Sequence, residues 1–119
     1  MTKILIVEDE AGLRQGLEIN LRMENYETAL AGDGEEAIRI FHAESPDLVL
    51  LDLMLPQIDG WAVLREFEAR ASTRDIPVVV ITSSDTGLSL PHAKAVIQKP
   101  ADPDYIVRVV TRHLPLAYA

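Results

Sequence analysis

The chain alternates short apolar runs with segments whose apolar positions recur at helical spacing. Lys3–Val7, Leu48–Leu51, Val78–Ile81 and Ala95–Gln98 are nearly unbroken in apolar character, the pattern of strands buried on both faces of a sheet. Between the first two, Leu13, Leu17 and Leu21 recur at i, i+4 and i+8 and predict a helix from Ala11 to about Asn25. Thr28–Ala31 reads as a further short strand, with Gly32-Asp33-Gly34 as a turn behind it. Glu35–Ala43 is predicted as a helix burying Ala37, Ile38 and Phe41, and Ser45-Pro46-Asp47 breaks it. Pro56 to Gly60 is a loop, and Trp61–Ala71 a helix with Leu64 and Phe67 inward. Asp102-Pro103 places an N-cap before proline at the first helical position. It opens a last helix that carries Ile106, Val109, Val110 and Leu114 to a stop near Pro115.

Continuous apolar strands between helices imply a parallel sheet covered on both faces. One crossover is unusual. Only twelve residues, Ser83–Lys94, separate Thr82 from Ala95, and they include Gly87 and Pro91. A parallel crossover needs roughly a dozen residues with its helix included, so a loop or a single turn is predicted there. At 119 residues the chain fits one core rather than two, and with no repeat or linker the expectation is a single domain over 1–119.

Composition narrows the function classes. Apolar residues make up 48% and charged residues 25%, which fits a globular domain and not a disordered one. No apolar stretch approaches the roughly 18–20 residues needed to cross a bilayer, and Met1-Thr2-Lys3-Ile4 shows no signal-peptide pattern. The absence of cysteine removes disulfide and thiolate chemistry. A cytoplasmic protein with no membrane contact is expected. The net charge is −8, and the eleven basic residues are scattered. Phosphate-backbone binding needs them clustered, so no direct nucleic-acid binding is expected.

The candidate chemistry lies where the apolar runs stop. Lys3–Val7 leads into Glu8-Asp9, Leu48–Leu51 into Asp52, Val78–Ile81 into Thr82, and Ala95–Gln98 into Lys99-Pro100. In an open parallel sheet, sites gather beyond the carboxyl ends of the strands. Side by side, these ends would bring three carboxylates, a hydroxyl and an ammonium to one pocket. That set suits a divalent cation and a phosphoryl group. A carboxylate can attack phosphorus, Mg²⁺ takes oxygen ligands while keeping some waters, and an ammonium offsets charge on the transferring group. Singly, each residue has an ordinary explanation as a helix cap, a strand end or a surface charge. Glu35-Glu36 suits the positive end of a helix. His42, His92 and His113 lack metal-ligand spacing and read as surface or capping residues. Trp61 and Tyr105 read as packing or rim residues.

Val7-Glu8-Asp9-Glu10, Asp52-Leu53-Met54-Leu55-Pro56 with Asp59-Gly60 behind it, Ile81-Thr82-Ser83 and Lys99-Pro100 occur in that order on those strand ends. By these motifs the chain resembles, over essentially its whole length, the chemotaxis-receiver-like receiver domain of bacterial two-component response regulators. The resemblance implies a flavodoxin-like three-layer α/β sandwich with a five-stranded parallel sheet of order 2-1-3-4-5. The family's fourth helix would here be stunted or replaced by a loop. The resemblance makes Asp52 the phosphoacceptor, Asp9 a direct metal ligand, and Glu8 a ligand acting through water. The backbone carbonyl of Met54 would be a further ligand, Thr82 would bond the phosphoryl group, and Lys99 would pair with it. The implied cofactor is Mg²⁺, with Mn²⁺ as the alternative. The implied phosphodonor is a sensor histidine kinase or a histidine phosphotransfer protein, docking against the exposed start of the first helix. The output would be altered binding to a downstream protein target. Such a switch is not an enzyme, even if it catalyses its own phosphorylation and dephosphorylation.

Two departures stand out. The switch position three residues before the lysine, commonly aromatic in the family, is Val96, which has no large rotamer swing to offer. The short Ser83–Lys94 segment removes much of a face that family members use for output. Together they favour retained phosphotransfer with a rebuilt output surface. They also support a second reading, a phosphorylation-independent receiver-fold binding module, against which the intact acid pair, acceptor, hydroxyl and lysine stand. A third reading is a dehalogenase-like small phosphohydrolase. That family resembles Asp-x-Asp, and Asp52-Leu53-Met54 lacks the second acid. A nucleotide site would need a glycine-rich phosphate loop, which is missing. With no output domain after Pro115, the expectation is a chain that acts alone or one cut from a longer protein.

Overall fold

A computed structural model of the chain describes residues 2–57, 59–69, 75–83 and 93–114. In chain order the elements are β1 (Lys3–Val7), α1 (Ala11–Met23), β2 (Glu27–Ala31), α2 (Gly34–Glu44) and β3 (Leu48–Asp52). They continue with α3 (Gly60–Glu68), β4 (Val78–Thr82), β5 (Ala95–Gln98) and α4 (Pro103–Arg112). The strands form one parallel sheet of order β2-β1-β3-β4-β5. This is the flavodoxin-like arrangement.

The strand sequences explain the layering. Successive side chains of a strand point to opposite faces, so an unbroken apolar run feeds two cores at once. Ile4, Ile6, Leu48, Leu50, Val79 and Ile81 pack with Leu17 and Leu21 of α1 and Ile106 and Val110 of α4. Leu5, Val7, Val49, Leu51 and Val80 face the other way, against Ala37 and Phe41 of α2 and Val63 and Phe67 of α3. The Phe41 and Phe67 rings stack with centroids 4.0 Å apart, joining those two helices. Each such buried side chain contributes about 1.5–3 kcal/mol, and β1 and β3, at the centre, are buried throughout apart from Lys3.

Three of the four described helices carry their own fasteners at the start. Asp33 accepts from Glu36 N at 2.8 Å, and Glu36 Oε1 reaches back to accept from Gly32 N at 2.9 Å, a close relative of the capping box. Asp59 caps α3 through Ala62 N, and Asp102 caps α4 through Asp104 N, each at 2.8 Å.

The element limits differ from the sequence reading in small ways with physical causes. β3 and β4 each run one residue further, so Asp52 and Thr82 are themselves in the sheet. β2 begins at Glu27, one residue earlier. α1 stops at Met23 because the chain turns at Asn25, which takes a left-handed φ of 68° that asparagine tolerates. α3 ends at Glu68, with Ala69 as its C-cap, before the expected Ala71. Ile38 is only half-buried. His42 is not a plain surface residue: its Nε2 is buried, 3.5 Å from Glu66 Oε1 and without a hydrogen bond. Most of the Ser83–Lys94 crossover (84–92), with His92 in it, lies outside the described residues, as do Ala71 and Pro115.

Gly60 fixes how α3 meets the end of β3. Its N–H donates to Leu53 O at 3.0 Å. A Cβ there would overlap Leu53 Cα and lie 2.8 Å from Leu53 O and 2.9 Å from Asp52 O. These are backbone atoms and cannot swing aside. Gly60→Ala is therefore expected to cost about 2 kcal/mol, within the range for overpacking, by moving the start of α3 off the strand end. Urea unfolding of the purified variant measures it, and a loss below roughly 0.5 kcal/mol would show that the two backbones do not need this close approach.

Candidate functional site

The chain leaves β1 in one direction to reach β2 and later returns on its other side as β3. This reversal creates a crevice at the carboxyl ends of β1 and β3, where ligands bind in sheets of this kind. The polar strand ends meet in it. Glu8, Asp52 and Thr82 are buried, and Asp9 is exposed.

Carboxylate oxygens of Glu8, Asp9 and Asp52 lie within 4.8 Å of one another. Lys99 Nζ donates to Glu8 Oε1 and to Asp52 Oδ2, both at 3.0 Å. Backbone donors hold two of the three carboxylates in place. Asp52 Oδ1 accepts from Met54 N at 2.9 Å, and Glu8 Oε2 accepts from Glu10 N at 3.2 Å. Lys99 N donates to Thr82 O at 2.8 Å, joining β5 to the end of β4, and the Lys99–Pro100 peptide is cis. Glu8 N donates to Ala31 O, and Leu53 N to Ile81 O, each at 3.0 Å. The turns beyond the strands thus continue the sheet's own bonding.

Charge is under tension here. The Glu8 carboxyl is pushed up to about 7: burial is the largest cause and Asp52 adds to it, while the Lys99 hydrogen bond and the Glu10 N–H oppose the rise. For Lys99, burial disfavours the charged form, but the bonds to Glu8 and Asp52 outweigh it and raise the ammonium above its ordinary value. Three carboxylates this close, served by one ammonium, leave an excess of negative charge. All the side-chain donors in the cluster are oxygen, the set a hard dication such as Mg²⁺ prefers.

The structure brings Glu8, Asp9, Asp52 and Lys99 together as the sequence implied, with Thr82 in register beside Gln98 on the next strand. Met54 donates its N–H to Asp52, and the residue is 57% exposed. Val96 is 39% exposed on β5, whereas the next residue, Ile97, is buried. Tyr105 is also exposed, with Arg108 over its ring at 5.9 Å. A cleft of about 320 Å³ opens next to the cluster, lined by Glu10, Leu13, Ser83, Lys99, Pro100, Ala101 and Ile106. One residue escaped the sequence reading. Arg14 donates from Nη1 to Glu8 O at 2.8 Å and to Asp9 O at 3.4 Å. An arginine on the polar side of a helix carries no signal of such a contact.

Comparison with known proteins gives a consistent result. The family model for the response regulator receiver domain matches residues 4–111. Among relatives, the probable transcriptional regulator ycf27 of Guillardia theta is 40% identical over 119 residues, covering 92% of this chain and 45% of that protein. The sensory transduction protein RegX3 of Mycolicibacterium smegmatis is 43% identical over 86 residues, covering 72% of this chain and 36% of that protein. The chain spans less than half the length of either relative. Among solved structures, the response regulator TrrA of Thermotoga maritima, in complex with Mg²⁺-BeF, superposes with a TM-score of 0.82 at 31% identity, covering 94% of this chain and 98% of that one. The chemotaxis response regulator CheY4 of Vibrio cholerae has a TM-score of 0.86 at 22% identity, with the same coverage, a likeness of fold alone. Among the described residues, no helix is long and apolar enough to cross a membrane.

Proposed function

The chain belongs to the response regulator receiver domain family, whose members act in phosphorylation-based signalling, and from that premise we propose that Asp52 is its phosphoacceptor. The observation that carries the reading is the convergence of Glu8, Asp9 and Asp52 within 4.8 Å, with Lys99 bonded into the same cluster. Glu8, Asp9 and Asp52, with the Met54 carbonyl, would hold the cation. Mg²⁺ bound there supplies positive charge against the phosphoryl oxygens, and Mn²⁺ could serve in its place.

The chain's own residues do the rest. A carboxylate oxygen of Asp52 attacks phosphorus as the P–N bond of a phosphohistidine breaks. The bonding electrons return to the imidazole, which leaves with a proton from solvent. Met54 N and Lys99 Nζ, which hold Asp52 at 2.9 and 3.0 Å, fix the carboxylate's orientation before the donor arrives. Lys99 then bonds a transferred phosphoryl oxygen, and the Thr82 hydroxyl binds another. Phosphorylation brings roughly 1.5–2 negative charges and three strong acceptors, and drawing Lys99 and Thr82 onto them shifts the carboxyl ends of β4 and β5. The cleft lined by Glu10, Lys99 and Pro100 would receive the phosphodonor, a sensor histidine kinase or a histidine phosphotransfer protein. The output is binding to a downstream protein, so the domain acts as a switch and not as an enzyme with a released product. Val96, already exposed and without a long side chain, leaves the family's aromatic relay unfilled, so signal passes through Thr82 and Lys99 themselves.

The test is intact mass after treatment with acetyl phosphate or phosphoramidate, with and without Mg²⁺. A gain of one phosphoryl group that requires Mg²⁺ is expected. No adduct with either donor would sink this reading and favour the phosphorylation-independent binding module.

A further inference from the structure

Helix α1 starts without a side-chain fastener. Glu10, at its N-cap position, forms no capping bond, unlike Asp33, Asp59 and Asp102 at the other three described helices. The turn that carries the acid pair is tied from inside the helix instead. Arg14 Nη1 donates to the carbonyl oxygens of both Glu8 and Asp9. The same nitrogen lies over Gly32, where an added Cβ would approach it to 3.2 Å. Gly32 is itself bonded to Glu36, and Glu8 N to Ala31 O. Three segments therefore meet at one guanidinium: the start of α1, the acid turn, and the turn between β2 and α2.

We propose that Arg14 is a positioning residue for the divalent-cation site, holding the Glu8 and Asp9 backbone so that both carboxylates face Asp52. This rests on the reading of that cluster as a Mg²⁺ site. Bonds from a charged donor are stronger than neutral ones, and a carbonyl pinned this way fixes the peptide planes on either side of Asp9. Asp9 needs such help because it is exposed, with no side-chain hydrogen bond to another described residue to hold it. Gly32 completes the device by leaving space for the guanidinium.

Charge alone would act in the opposite sense. A guanidinium near a dication repels it, so removing Arg14 would tighten Mg²⁺ binding if charge were its only influence. If it holds the turn, removing it loosens binding. Groups that orient a metal's ligands typically change affinity by about 10- to 100-fold. Acting through backbone carbonyls, Arg14 belongs at the lower end, about tenfold.

Calorimetric titration of Mg²⁺ into the wild-type chain, Arg14→Met and Gly32→Val decides the matter, with unfolding in EDTA as a check on the fold. Arg14→Met keeps the apolar stem and is expected to raise the Mg²⁺ dissociation constant about tenfold. Gly32→Val keeps the arginine and its charge but crowds it aside, and should weaken binding in the same direction. The double variant should be no weaker than the weaker single one. Unchanged or tighter binding by Arg14→Met beside normal wild-type binding overturns the inference alone. A wild-type chain that takes no Mg²⁺ overturns the site itself and the inference with it.

Discussion

Asp52→Asn is expected to take up no phosphoryl group from acetyl phosphate at any Mg²⁺ concentration, while keeping its fold. An amide oxygen is neutral and far weaker than a carboxylate as a nucleophile towards phosphorus. The side chain it replaces is buried between two donors, Met54 N at 2.9 Å and Lys99 Nζ at 3.0 Å. Asparagine has the same shape but one carbonyl oxygen, so only one donor keeps its acceptor there. Leaving a buried donor unpaired costs about 1–3 kcal/mol. Against that, one of three carboxylates crowded within 4.8 Å loses its charge, which relieves repulsion at Glu8, where Asp52 helps hold the carboxyl at about 7. The two effects oppose, and a net change within about 1 kcal/mol is expected. Intact mass and urea unfolding on one preparation separate the outcomes. Wild-type phosphoryl uptake by this variant would place the acceptor on another residue. Failure to fold would show that Asp52 is chiefly structural.

That the site could be read from the sequence at all follows from how a parallel sheet is built. Strands buried on both faces must be apolar at every position, so the first polar residue after each run marks a strand end. In this topology the carboxyl ends of all the strands lie on one edge of the sheet. Val7 before Glu8, Leu51 before Asp52 and Ile81 before Thr82 therefore located the pocket without any knowledge of side-chain contacts. The same rule placed β3 and β4 one residue short, because it takes a polar residue to end the strand when the backbone ladder continues through Asp52 and Thr82.

What the sequence hid depends on distance and not on pattern. Gly60 is required by the Leu53 and Asp52 backbones, and Asp59-Gly60 reads equally well as any turn. Arg14 sits on the polar side of an amphipathic helix, where arginine is ordinary, and its bonds to Glu8 and Asp9 appear only once α1 is laid against the sheet. His42 looked like a surface residue because its neighbour in space, Glu66, is on the next helix. Each case is a contact between elements, which periodicity within one element cannot report.

Lys99→Met is expected to lower the stability of the metal-free protein by about 3 kcal/mol and to make it strongly dependent on Mg²⁺. The ammonium bonds Glu8 and Asp52 at 3.0 Å each, and both carboxylate side chains are 2% exposed. Removing it leaves two buried acids facing each other with no cation between them. Breaking a buried pair costs about 3–5 kcal/mol, and the lower end applies because the lysine side chain itself is 23% exposed. For a domain of this size the midpoint of thermal unfolding should fall by roughly 10–20 °C. The pH dependence has a definite sign. The Lys99 bond is the largest influence lowering the Glu8 carboxyl, which even so stands at about 7, so its loss moves that group further up. A carboxyl whose folded value lies above its unfolded one stabilises the fold most below the unfolded value, and that contribution is lost as pH rises through the folded one. The deficit against wild type should therefore shrink as pH is lowered from 8 towards the ordinary carboxylate range. A cation that binds only the folded chain stabilises it by mass action, and where it replaces the missing ammonium the gain is larger. Saturating Mg²⁺ should thus raise the unfolding midpoint of Lys99→Met by more than that of the wild type, while phosphoryl uptake stays low because the charge that meets the incoming phosphoryl oxygen is gone. An equal rise in both proteins would mean that lysine and cation do not answer the same excess of negative charge.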